Sequence, residues 1–212
     1  MNTDEILDCL EFMFPNAECE LVHRNAFELL IAVTLSAQTT DVSVNKITPA
    51  LFKRYPTPAL LAEGELKEIE SYIKSIGLYH NKAKSIKACA QSLCDVFGGV
   101  VPSTMKELTT LAGVGRKTAN VVLSVVFDVP AIAVDTHVER ISKRLGLAKP
   151  MDTVLQVENK LKRKIDKSRW NRAHHLFIFF GRYQCMARNP QCDGCPFIGI
   201  CKRVKIDNLK IR

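Results

Sequence analysis

No stretch of the 212 residues stays apolar for the roughly 20 positions that a membrane-spanning helix needs. The first residues, MNTDEILDCLEFMF, start acidic and lack the basic n-region of a secretory signal. A cytoplasmic protein without a membrane partner is the expectation. Period-two alternation is also scarce: AIAVD (131–135) is the one short candidate strand. The 10 glycines and 9 prolines gather into no linker, and no segment is of low complexity. Any two domains should therefore pack closely.

Helical spacing fills the rest. NAFELLIAVTLSAQ (25–38) opens with Asn25 three residues before Glu28, the pattern of a capping box. TTDVSVNKITPALFKRY (39–55) restarts a helix with Thr40 or Asp41 as its N-cap. Residues 64–97 read as two helices broken at Gly77, and residues 101–127 as a second such pair. The pairs echo each other, since Gly77 and Ala83 stand at the same six-residue offset as Gly113 and Ala119. VDTHVERISKRLGL, VLQVENKLKRKI and RWNRAHHLFIFFGRYQC complete an all-α set.

The formal net charge is +8, and the excess is uneven. Lys160, Lys162, Arg163, Lys164, Lys167, Arg169 and Arg172 lie close together with Asp166 as the only acid among them. Such a run is either a solvated face or a phosphate-binding surface. Cys9, Cys19, Cys89 and Cys94 sit among apolar neighbours and suit core packing. Cys185, Cys192, Cys195 and Cys201 crowd into one loop with spacing C-x6-C-x2-C-x5-C, a complete tetrathiolate set. Zinc sites pair two short knuckles. Here one short and two longer steps, with proline after Cys195, favour an iron–sulfur cluster and leave zinc as the alternative.

LTTLAGVGRKTANVVLSVVF (108–127) poses a sharper question, because Arg116 and Lys117 fall at the start of an apolar helix. That end carries a partial positive charge, so each basic residue there is unfavourable by roughly 0.3–1 kcal/mol. The amides of a helix start form an anion site, and Gly113 and Gly115 leave no Cβ to obstruct a phosphate. Lys117 falls on a polar stripe with Asn120, Ser124 and Asp128, facing a cleft or solvent. Arg116 and the helix end both disfavour an ammonium there and so favour the neutral amine. A neutral amine is a nucleophile able to form a Schiff base with a sugar carbon.

LAGVGRKTANVV, followed by Asp135 in AVDTHVERI, resembles the helix-hairpin-helix and following aspartate of the endonuclease III family of DNA repair glycosylases with lyase activity. FELLIAVTLSAQTTDVSVNK, IKSIGLYHNKAKSI and HHLFIFFGRYQCMARNPQCDGCPFIGIC are similar to it as well, so the likeness covers essentially the whole chain. Ala112 departs from the proline usual before the glycine turn. The resemblance implies a two-lobed all-α fold with an interlobe DNA-binding cleft. One lobe would be a helical barrel over 21–128 with the hairpin at about 104–127; the other would be 1–20 plus 129–212, with the cluster loop at 185–201.

It further implies that Lys117 attacks C1′ of a damaged nucleoside and that Asp135 assists and stabilises the developing positive charge; read alone, Asp135 is a helix N-cap. Gly113, Val114, Gly115, Arg116 and Thr118 would contact DNA, with His137 as a secondary phosphate contact. Gln38 and Leu78 would fill the gap left by a flipped nucleotide, although unaided they read as an exposed loop residue and a core leucine. The cofactor implied is a [4Fe–4S] cluster on the four C-terminal cysteines, presenting Lys202 and Arg203 to DNA. The partner is double-stranded DNA with oxidised pyrimidines or abasic sites, met by a monomer in the cytoplasm at the nucleoid. A mispair adenine glycosylase is the enzyme rival, but DTH (135–137) and Lys117 stand where those relatives carry DGN and usually lack the lysine. A non-catalytic DNA-binding module is the rival of another class.

Overall fold

The computed structural model describes residues 1–203, and among them every regular element is helical. The α-helices are α1 (Thr3–Met13), α2 (Ala26–Leu35), α3 (Asp41–Arg54), α4 (Pro58–Glu63), α5 (Leu66–Ile73), α6 (Tyr79–Phe97), α7 (Met105–Leu108), α8 (Arg116–Val126), α9 (Thr136–Arg144), α10 (Val154–Lys164) and α11 (Trp170–Phe179). None is long and apolar enough to cross a membrane. AIAVD forms no strand among the described residues and runs as irregular backbone into α9. The chain divides into two compact units, Cys19–Asp128 and Met1–Glu18 together with the chain from Val129 onward.

The Cys19–Asp128 unit is built around α2, which packs against α3, α6 and α8. Every residue from Phe27 to Leu35 is buried, so the helix is enclosed on all sides rather than amphipathic. Full burial of each of Leu29, Leu30 and Ile31 is worth roughly 1.5–3 kcal/mol. Its N-terminus forms only half of the expected capping box. Asn25 accepts from the Glu28 amide at 2.9 Å, but the buried Glu28 carboxylate accepts from the Arg24 amide and guanidinium instead. Arg24 outcompetes the cap because it brings a charge to a carboxylate that is only 2% exposed. Thr40 caps α3, accepting from the Ser43 amide.

The two broken helix pairs are not copies. α6 starts directly after Leu78, whose φ of 62° is left-handed. In the other pair Gly113 is the left-handed residue, at φ 76°, and α8 starts three residues later behind an extended Gly115.

The second unit packs α11 against α1 and α9, and α10 against α9. Ile6, Leu7 and Leu10 from α1, Val138 and Ile141 from α9, Leu161 from α10 and Phe177 from α11 form its core. Phe197, far along the chain, joins them and meets Phe180 edge-on at 5.2 Å between centroids. One end of the cysteine loop is thus anchored in the core.

Candidate active site and cluster loop

Backbone bonds bracket the turn before α8. The Val114 amide donates to Leu111 at 3.1 Å and the Ala119 amide to Gly115 at 2.9 Å, while buried Val114 pins the turn from inside. No side chain caps α8, which leaves its first turn suited to an anionic ligand. Gly115, Arg116 and Lys117 are exposed and Thr118 is half-buried. The expected polar stripe holds only at its ends. Lys117 and Asp128 are exposed, but Asn120 and Ser124 are buried, in a helix that packs against α2 and α7. Gly113 cannot be replaced without strain: beyond its positive φ, an added Cβ would lie 3.0 Å from both Ser85 Cβ and Thr34 Cγ2.

Gln38 and Leu78 occupy two loop tips of the same unit, both exposed and both left-handed, at φ 55° and 62°. Leu78 is 58% exposed, so it is not the core leucine that an unaided reading suggests.

Asp135 and His137 belong to the other unit, at the start of α9. Asp135 is its N-cap, with Oδ1 accepting from the amides of His137 and Val138 at 2.8 Å each. One carboxylate oxygen is thereby committed to the helix, and the carboxylate is held still. The ring of His137 is turned inward, with Nδ1 at 3.2 Å from Arg140 Nη2. Burial pulls His137 below the ordinary histidine value, against the opposing pull of Asp135 and with help from Arg140 and Arg182.

α11 ends in a wide π turn, Phe180–Gln184, closed by a Cys185 amide bond to Phe180 at 2.7 Å. Such turns re-aim the chain, and this one delivers Cys185 to the loop. Arg144 and Arg140, one turn apart on α9, hold that point. Buried Arg144 donates to the Cys185 thiol at 3.2 Å and to the Met186 carbonyl at 2.9 Å. Arg140 donates to Gly181 at 2.7 Å and to the Cys185 carbonyl at 3.3 Å. Burial pushes the Cys195 thiol up, a shift opposed by the Phe197 amide and reinforced by Cys185, Cys192 and Cys201, which surround it. Four half-buried thiols in one short loop, with arginine donors at Cys185 and Cys192, are a donor set that suits an iron–sulfur cluster. Among the described residues no three His, Cys, Asp or Glu side chains converge as one metal ion would need. A cluster has no such requirement, because each of its corners takes one thiolate. Arg203 turns to the Cys192 thiol at 3.6 Å, and the Lys202 chain lies against Gly146.

Much of the basic run is spoken for. Arg169 pairs with Asp4 and Asp8, Arg172 with Glu11, Lys160 with Asp152 and Lys162 with Glu158. These acids lie outside the run in sequence, so the run looked unpaired when read linearly. Sequence reasoning also missed Lys82, Arg140 and Arg144. The four-residue spacing of the two arginines on α9 was visible, but what they face was not.

Residues 31–167 match the family model of HhH-GPD superfamily base excision DNA repair proteins, and residues 185–201 match the iron–sulfur binding domain of endonuclease III. The chain is 53% identical over 205 residues to an endonuclease III from Bacillus subtilis (strain 168), covering 95% of this chain and 94% of that one. It is 45% identical over 204 residues to an endonuclease III from Escherichia coli (strain K12), covering 96% of each. A trapped covalent endonuclease III–DNA intermediate shares the fold with a TM-score of 0.92 and 52% identity over 100% of both chains. A thermostable thymine-DNA glycosylase, at 23% identity, a TM-score of 0.81 and 95% and 96% coverage, is alike in fold.

Proposed function

The chain belongs to the endonuclease III family within the HhH-GPD superfamily, DNA glycosylases with abasic-site lyase activity that carry a [4Fe–4S] cluster, and on that premise we propose that it excises oxidised pyrimidines through Lys117. The observation that carries the proposal is an exposed amine in the first turn of an uncapped helix, behind a glycine turn open enough for a phosphate backbone. The trapped covalent complex of a protein 52% identical supports a covalent route.

In this reading Lys117 Nζ bonds to C1′ as the C1′–N bond breaks, and the electron pair leaves with the base. Asp135, held rigid as the α9 cap, places negative charge where the sugar becomes positive. Loss of a proton and opening of the ring convert the adduct to an imine. Removal of a 2′ proton then expels the 3′ phosphate and nicks the strand. Gly113, Val114, Gly115, Arg116 and Thr118 would seat the DNA backbone, His137 would add a contact, and Gln38 and Leu78 would fill the vacated stack. Cys185, Cys192, Cys195 and Cys201 would hold the cluster, whose contribution is to fasten the loop, not to supply an acid, base or nucleophile. The enzyme would act as a monomer, in the cytoplasm at the nucleoid.

Borohydride trapping tests this. With duplex carrying an oxidised pyrimidine, the wild-type protein should give a stable protein–DNA adduct. Lys117→Gln should give none while keeping its fold and much of its DNA affinity. An adduct that survives in Lys117→Gln assigns the chemistry to another amine, and unimpaired nicking by Lys117→Arg leaves only a docking role for the lysine.

A further inference from the structure

The loops carrying Gln38 and Leu78 lie 40 residues apart in sequence, yet one residue bonds to both, through its side chain to one and its backbone to the other. Lys82 is 6% exposed, and its ammonium donates to Thr39 Oγ1 at 2.5 Å, directly beside Gln38. Its own amide donates to the Leu78 carbonyl at 3.0 Å, the first backbone bond of α6. Leu78 is the N-cap of that helix and gets no side-chain help. Both tips are strained, since a non-glycine residue in the left-handed region costs of order 1 kcal/mol or more and persists only when its surroundings impose it. Burying a lysine is costly as well, and among the described residues this one has a hydroxyl rather than a carboxylate as its partner.

We propose that Lys82 is a positioning residue: its buried ammonium, bonded to Thr39 while its backbone anchors Leu78, locks the two loop tips into one preformed wedge that enters the duplex where a nucleotide is turned out. The inference rests on the reading of Gln38 and Leu78 as gap-filling residues. A rigid wedge matters because fixing two loops at the moment of binding subtracts their ordering cost from the affinity. Only damaged sites, where the base leaves the stack, draw on that rigidity; undamaged duplex is held by phosphate contacts alone. Burial lowers the affinity of the Lys82 amine for its proton.

The test measures discrimination, the ratio of affinities for duplex with a tetrahydrofuran abasic analogue and for undamaged duplex, alongside 2-aminopurine fluorescence opposite the analogue. Lys82→Met and Thr39→Val should each lower discrimination about tenfold, the value of one charged hydrogen bond, and should quench the unstacking signal. The double variant should lose no more than either single one, and Lys82→Arg should recover part of the loss. Affinity for undamaged duplex should change little. If Lys82→Met falls while Thr39→Val does not, the lysine acts on phosphate or on the fold at large and the proposal is overturned. Unchanged discrimination in both overturns it too. Gln38→Ala and Leu78→Ala serve as the reference: should they keep full discrimination, the gap-filling reading fails and the wedge fails with it.

Discussion

The glycine turn makes two substitutions that look alike on paper behave oppositely. Gly113→Ala puts an L residue at φ 76°, where the left-handed backbone costs roughly 1–2 kcal/mol. The new methyl also lies 3.0 Å from Ser85 Cβ and 3.0 Å from Thr34 Cγ2, on α6 and α2, neither of which can yield without moving a packed helix. Overpacking of that kind adds about 1–3 kcal/mol. The expected destabilisation is therefore about 3 kcal/mol, or roughly 6–12 °C in melting temperature for a chain of this size. Gly115→Ala meets nothing within 4 Å, and its φ of −92° suits any residue. The weaker helix cap costs roughly 0.5–1 kcal/mol, and the reduced freedom of the unfolded chain offsets it by about 0.4–1 kcal/mol. Its melt should match the wild type while affinity for abasic duplex falls at least tenfold, because the methyl points into the space assigned to a phosphate. Thermal melts followed by far-UV circular dichroism, paired with fluorescence anisotropy on the same preparations, read both quantities. A Gly113→Ala protein that melts like wild type, or a Gly115→Ala protein that binds as tightly, refutes the reasoning.

Asp135→Asn keeps an oxygen for the amides of His137 and Val138, so the melt should hold. Single-turnover base release should drop by about 10²–10³ through loss of the charge; an Asn variant with the wild-type rate removes Asp135 from the chemistry. Asp135→Ala should show the same slowing plus about 1 kcal/mol of lost cap. Arg144→Met strips donors from the Cys185 thiol and the Met186 carbonyl; visible absorbance from the cluster should bleach several degrees earlier on heating, and unchanged bleaching would show that Arg144 does not anchor the loop. Burial, with Arg172 adding to it, pulls His175 down to about 4. The unfolded chain takes up that proton near pH 6.5 and the folded chain resists, so stability held above pH 6.5 should drain away as pH falls toward 4. Urea midpoints at pH 7 and pH 5 should differ more in wild type than in His175→Phe, and equal differences would contradict the assignment.

The amino-acid sequence by itself determined the helical class, because apolar spacing of 3.6 needs no partner to be recognised. It determined the thiol loop and the glycine–lysine turn for the same reason: their members lie within a few residues of one another. Thr40 as a cap was legible locally, as was Asp135. Glu28 was misassigned, since its competitor Arg24 lay one residue outside the pattern being matched. The basic run read as either a solvated face or a phosphate-binding surface, and only folding brought Asp4, Asp8 and Glu11 of α1 against it. Leu78 shows the limit most clearly. Hydropathy places a leucine inside, and only the left-handed turn before α6 leaves it at 58% exposure. The bond from Lys82 to Thr39 spans 43 residues. Such partners were illegible in sequence because hydrogen bonds and ion pairs act over a few ångströms of space, and chain separation does not record which distant residues will come within that reach.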